Sequence, residues 1–244
     1  MKRYFSLDLL RGLAVFGMIV FHFFWVLDFL GWAVLDLHHG FWMPFVRVVQ
    51  FLFLGLVGFS LSLSQRVRPG GFLEKQLPRL VKIAVAALIV SVATYFVIGD
   101  IYVRFGVLHF IVLASILIFP FVGKRWYLVG VIGLAMVGVL ITRGLDFSFP
   151  VIAYVLGFKS AAVPTMDYFP LVPWIIVVLV GALLEDLSGS FLPRVESKLA
   201  GIVKSAAGKI LIFLGRNSLG VYLLHVPLII LILLLYSLGK DVLM

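Results

Sequence analysis

The sequence contains no cysteine, which excludes disulfides, thiolate metal sites and a thiol nucleophile. Charge is scarce too: 13% of the 244 residues are Asp, Glu, Lys or Arg, about half the share usual in a soluble domain. No stretch is long or polar enough to make a separate soluble domain. No internal repeat is visible, so the inverted symmetry common in transporters is missing. Hydrocarbon fills the chain instead, with 63% hydrophobic residues and a mean hydropathy of +1.20. This composition reads as one all-α domain over residues 1–244, a polytopic transmembrane helical bundle of about seven spans.

The spans fall near 7–30, 44–64, 81–99, 105–122, 127–142, 169–187 and 217–238. The first is too long for a signal-peptide core and lacks a small-residue cleavage site, so it reads as a retained span. The net charge of +9 does not point to nucleic acid, because the basic residues alternate between loops. With a cytosolic N-terminus, thirteen Lys and Arg, from Lys2 and Arg3 through Arg66, Arg68, Lys75, Lys124 and Arg125 to Lys209, fall inside. Only Arg47, Arg104, Arg143, Lys159 and Lys240 fall outside, with Arg11 and Arg216 at helix ends. This is the positive-inside pattern of a multi-pass protein of the cell membrane, and seven spans place the C-terminus outside. Two outer loops stand out, Gly31 to Met43 and Arg143 to Tyr168. The second holds an apolar piece, Phe149 to Phe158, too short to span. The cytosolic stretch Ser197 to Leu214 has the pattern of a helix lying on the inner surface.

Asp8, Arg11, Val15, Met18 and His22 recur at helical spacing and make one stripe along the first span. His22 lies eleven residues beyond Arg11, about 16 Å of helical rise. Ionisable groups at that depth are costly and usually face a bundle interior or polar cavity. Read blandly, Arg11 is a snorkelling anchor and His22 a packing residue; the stripe as a set favours function. In the last span Ser218, Tyr222 and His225 share a face that begins at Arg216 and Asn217. His109 follows Arg104 in the fourth span, and His38 and His39 lie in the first outer loop, where a histidine is most often merely solvated. No histidine has the i, i+4 partner or H-E-x-x-H pattern of a metal site, and no G-x-S-x-G elbow supports a serine hydrolase. Buried imidazole remains the side chain best suited to take a proton from an amine or hydroxyl near neutral pH. Asp167, Tyr168 and Trp174, with Pro170 and Pro173, open the sixth span either as an interfacial aromatic belt or as an acceptor-binding rim.

Four segments occur in a telling order. They are Ser6-Leu7-Asp8-Leu9-Leu10-Arg11-Gly12-Leu13-Ala14 with Phe21-His22-Phe23, then Arg104-Phe105-Gly106-Val107-Leu108-His109-Phe110. Asp167 to Trp174 follows, and last comes Gly215-Arg216-Asn217-Ser218-Leu219 with Tyr222-Leu223-Leu224-His225. Together they resemble the heparan-alpha-glucosaminide N-acetyltransferase-like family of the transmembrane acyltransferase superfamily, over nearly the whole chain. Arg11 and His22 are similar also to the Arg-x10-His pattern of the related acyltransferase-3 enzymes. The resemblance implies a transferase taking acetyl from cytosolic acetyl-CoA to an amine or hydroxyl of an extracytoplasmic sugar or glycolipid.

On that resemblance, Asp8, Arg11, Arg104, His109, Arg216, Asn217, Ser218, Tyr222 and His225 are candidates for the donor, with Lys124 and Arg125 for its phosphates. The catalytic candidates are His22, His38, His39 and Asp28. In the lysosomal enzyme of the family asparagine stands at the position of His22 and the catalytic histidine lies in the first lumenal loop, so the assignment divides between His22 and the His38–His39 pair. The acceptor rim falls to Asp167, Tyr168 and Trp174. The chain is shorter than the lysosomal enzyme, and heparan is not carried over as the substrate. Membrane lipids are partners throughout, no metal or nucleic acid is expected, and a homodimer is left open. A transporter or flippase using the histidines as a proton relay, and a non-enzymatic scaffold, are the rival readings.

Overall fold

The computed structural model describes residues 4–67, 74, 76–145, 149–158, 163–188 and 191–243. Lys2, Arg3, Arg68, Lys75 and Lys159 lie outside the described residues. Ten α-helices are present among those described: α1 (Phe5–Phe29), α2 (Trp42–Val67), α3 (Leu77–Ile98), α4 (Val107–Ile118), α5 (Arg125–Gly144), α6 (Pro150–Leu156), α7 (Leu171–Ser188), α8 (Phe191–Lys204), α9 (Ala206–Arg216) and α10 (Ser218–Leu243). The only β-type pairing among them is a single bridge between Phe105 and Tyr168.

The all-helical membrane architecture expected from composition is what the chain adopts. Six helices, α1, α2, α3, α5, α7 and α10, are long and apolar enough to cross a bilayer. The remaining expected span is shorter: α4 with its terminal turn covers Val107–Phe121, roughly 22 Å of rise at the α-helical pitch. The apolar piece of the second outer loop is the seven-residue α6. The expected inner-surface helix is broken into α8 and α9. Ser205 ends one and caps the other, its hydroxyl accepting from the Gly208 amide at 3.0 Å.

The chain divides into two compact units, Met1–Phe53 with Ser190–Met244, and Leu54–Gly189. In the first, α1 packs along α9 and α10. Glycine permits the closest approach: a Cβ on Gly12 would strike the Leu211 carbonyl, and one on Gly215 the Asp8 carbonyl. Beyond the middle of α1 the seam with α10 is dry, built on Val26, Ile229 and Leu233. The opposite face of α1 carries the exposed side chains of Leu10, Leu13, Phe16 and Phe23, as a lipid-facing surface requires.

In the second unit α2 and α7 cross closely: a Cβ on Gly58 would strike the Val178 carbonyl, and one on Gly181 the Gly55 carbonyl. Ion pairs tie helix ends at one end of the unit. Arg66 of α2 meets Glu185 of α7 at 2.7 Å, and Arg125 of α5 meets Asp186 at 3.0 Å. At the other end, backbone bonds join 101–105 to 166–169. Helix α4 runs between these ends, starting beside Tyr168 and finishing just before Arg125, so it traverses its unit despite its length.

Candidate functional site

The stripe on α1 faces inward as its spacing predicts. Asp8 and Val15 are buried, and Arg11, Met18 and His22 are half-buried. At its inner end the Asp8 carboxylate holds two guanidinium groups. Arg11 donates to Oδ1 at 3.2 Å from one turn away, and Arg216 donates to Oδ2 at 3.2 Å from the end of α9. Asp8 is thus shared between two guanidinium groups, which outnumber it. A planar guanidinium suits phosphate oxygens, which it can meet with two parallel donors. The α1 N-terminus adjoins the mouth, and there the Glu196 carboxylate accepts from the Ser6 amide at 2.7 Å.

Three turns deeper, His22 meets His225. Their ring centroids lie 4.7 Å apart at an interplanar angle of 87°. Each ring is oriented by backbone: His22 Nδ1 is 2.8 Å from the Met18 carbonyl and His225 Nδ1 is 2.7 Å from the Tyr222 carbonyl. A carbonyl only accepts, so each Nδ1 carries the proton and Nε2 of each neutral ring is a lone pair. His225 Nε2 is buried and has no hydrogen-bond partner. The Tyr222 ring lies 5.8 Å from that of His225, and the Trp25 ring 6.4 Å from that of His22. Five of the expected residues, Asp8, Arg11, Arg216, His22 and His225, are thus gathered along one seam. Asn217 and Ser218 form its turn between α9 and α10, the Asn217 amide donating to the Phe213 carbonyl at 2.9 Å.

The other catalytic candidates sit in the first outer loop, in the open. Both His38 and His39 are exposed; His39 Nδ1 bonds Asp36 Oδ1 at 2.7 Å, and that bond holds the Asp36 carboxyl below the usual range. Asp28 is also exposed and braces the loop by accepting from the Leu35 amide at 2.9 Å.

The second unit brings the two middle motifs together as one knot. Phe105 pairs with Tyr168, the Phe169 amide donates to the Phe105 carbonyl at 3.1 Å, and the Val107 amide donates to Asp167 Oδ2 at 3.0 Å. Asp167 therefore caps α4 from sixty residues away. A Cβ on Gly106 would strike that carboxylate. Burial pushes the Asp167 carboxyl up to about 6. Arg104 donates to the Pro164 and Asp100 carbonyls, both at 2.8 Å, and lies over the Tyr102 ring. These bonds clamp the loop. The Tyr168 hydroxyl donates to the Tyr154 carbonyl at 2.6 Å and its ring stacks on that of Tyr154; burial pushes the Tyr168 phenol up to about 12. Trp174 is buried against Phe169. In the first turn of α4, His109 Nε2 faces Ser91 Oγ at 3.4 Å while that hydroxyl donates to the Val103 carbonyl. The expected donor residues Arg104 and His109 and the expected rim residues are thus joined in one polar knot of the second unit. Arg125 is paired with Asp186, and Lys124 sits over the Tyr127 ring.

Sequence reasoning passed over Glu185. It is 1% exposed and holds both Arg66 and the buried Ser62 hydroxyl, the latter at 2.8 Å. A carboxylate closing an apolar span was the available signal; its partners on α2 were not legible.

Comparison with known proteins returns one family. The family model described as heparan-alpha-glucosaminide N-acetyltransferase, catalytic, matches residues 3–227. No curated protein and no solved structure matches the chain.

Proposed function

The chain belongs to the heparan-alpha-glucosaminide N-acetyltransferase catalytic family, whose members are membrane acetyltransferases, and on that premise we propose how this member works. It takes acetyl from cytosolic acetyl-CoA and delivers it to an amine or hydroxyl of an extracytoplasmic sugar or glycolipid, across a prokaryotic plasma membrane. The observation that carries this reading is the continuity of the α1 seam. A two-arginine mouth on Asp8 lies at one end and a pair of imidazoles about 16 Å along the helix at the other.

Each end has a task suited to its chemistry. Arg11 and Arg216 receive phosphates of the donor at the mouth, and Asp8 keeps their guanidinium groups aligned. The uncharged pantetheine arm follows the stripe past Val15 and Met18, which brings the thioester to the histidines. His22 Nε2 takes the proton of the acceptor as its nitrogen or oxygen attacks the acetyl carbon; the Met18 carbonyl fixes the tautomer that makes this possible. The seam beyond the pair is apolar, which limits loss of acetyl to water. Asp167, Tyr168 and Trp174, in the outer knot of the second unit, are assigned to the acceptor. A homodimer is compatible with this arrangement and nothing in it requires one.

Binding of acetyl-CoA to purified protein in detergent, followed by melting temperature, tests the reading. A ligand at about a hundred times its Kd stabilises by about 2.7 kcal/mol. The expected result is a concentration-dependent rise that is lost in Arg11→Ala and Arg216→Ala. Folded wild-type protein that shows no rise at millimolar acetyl-CoA refutes the proposal. Substrate flux into proteoliposomes without any acyl-CoA would then make it a transporter.

A further inference from the structure

We infer that His225 is a second catalytic residue, the group that returns a proton to the coenzyme A sulfur as the thioester breaks. The inference rests on the acetyltransferase reading above and divides the two proton movements between two adjacent groups.

The geometry sets up two adjacent bases and no donor. His225 is 8% exposed, its Nδ1 is committed to the Tyr222 carbonyl, and its Nε2 is buried without a partner. A buried polar atom left unsatisfied is costly, and such a group calls for a ligand or a proton to complete it. His22 stands edge-to-face against it at 4.7 Å, its own Nδ1 committed in the same way. Val26, Ile229 and Leu233 close the seam on the outer side, so bulk water is a poor proton source at this point.

Acetyl transfer needs two proton movements. The acceptor loses one when its nitrogen or oxygen bonds to the acetyl carbon. The sulfur gains one when the carbon–sulfur bond breaks, because a thiolate left in an apolar seam is a costly anion and a poor leaving group. The step closes on the residues present. The acceptor proton goes to His22 Nε2 and passes within the pair to His225 Nε2. The carbon–sulfur bond breaks with its electron pair going to sulfur, and His225 Nε2 gives the proton to that sulfur. The products are the acetylated acceptor and the coenzyme A thiol, and both imidazoles end neutral.

Imidazole 15N NMR reads this directly, since the chain has only five histidines and His22→Gln and His225→Gln assign the two that matter. Coenzyme A, whose thiol hydrogen bonds to the free lone pair, should move the His225 Nε2 signal toward its protonated position. Desulfo-coenzyme A, which lacks the thiol, should bind and leave it in place. With acetyl-CoA and glucosamine as the acceptor probe, His225→Gln should lower kcat by about a hundredfold or more. The KM for acetyl-CoA should stay within about threefold, because the mouth is untouched. The inference is overturned if both compounds move His225 alike, if only His22 responds to the thiol, or if His225→Gln keeps its kcat. If coenzyme A does not bind the wild-type protein at all, the donor reading itself fails and this inference falls with it.

Discussion

Gly215→Ala tests the seam that makes the site. The added methyl would meet the Asp8 carbonyl and, behind it, the Gly12 amide, all of them backbone that no rotamer change can clear. Restoring van der Waals distance requires α1 and α9 to separate by on the order of 1 Å, and overpacking of that kind costs about 1–3 kcal/mol. Against it stands the gain of about 1 kcal/mol from replacing glycine by alanine inside a helix. Gly220, five residues on in α10, supplies the control, because a Cβ there meets nothing within 4 Å. Gly220→Ala should therefore be neutral or slightly stabilising, and Gly215→Ala should lie below it by roughly 1–3 kcal/mol. Melting in one detergent reads the stability gap. Separation of the helices also pulls Arg216 from Asp8, so the response to acetyl-CoA should weaken in Gly215→Ala and persist in Gly220→Ala. Equal stability and equal ligand response in the two variants would refute the claim that close α1–α9 packing builds the mouth.

The buried Asp167 carboxyl, raised from 3.8 to about 6, makes the folded state bind more protons between those values. Stability should fall as pH rises through that window, so Asp167→Asn, which keeps an oxygen for the Val107 amide, should out-melt wild type at pH 7.5 and lose its advantage near pH 4; an advantage that grows toward acid pH would reverse the sign and sink the argument. In the Glu185 cluster, Arg66→Ala strands a buried carboxylate and should cost about 3–5 kcal/mol, whereas Glu185→Gln keeps the shape and the Ser62 bond and should cost less than about 2; the reverse order in detergent melts would mean the ion pair is not what holds α2 to α7. With acetyl-CoA and glucosamine, His22→Ala should abolish transfer, while His38→Ala and His39→Ala, exposed on the outer loop, should retain most of it. Loss of transfer in His39→Ala with His22→Ala active would move the base to the loop.

Much of this protein is written locally. Hydropathy alone located the long helices, because length and dehydration cost act on one segment at a time. Helical periodicity alone placed Asp8, Arg11 and His22 on one face of α1, and His225 on a face with Tyr222 and Ser218. The order of four short motifs pointed to the family. Where the reading ran ahead of the structure, the cause was also local: Ser205 breaks one surface helix into α8 and α9, and α4 is shorter than its apolar run.

Periodicity says which residues share a face, but not which face another helix will meet. Only tertiary packing set His225 against His22 and Arg216 against Asp8, more than two hundred residues apart in each case. The reason is the close approach of α1 to α9 that Gly12 and Gly215 permit. The same limit hid a further role of Asp167, expected at the acceptor rim: its carboxylate also caps a helix sixty residues upstream. Glu185, passed over in the sequence, takes its meaning from Ser62 and Arg66 across a glycine-lined crossing. The sequence determined the helices and the faces they carry; the fold decided which faces meet, because backbone approach at a few glycines selects partners that no local pattern encodes.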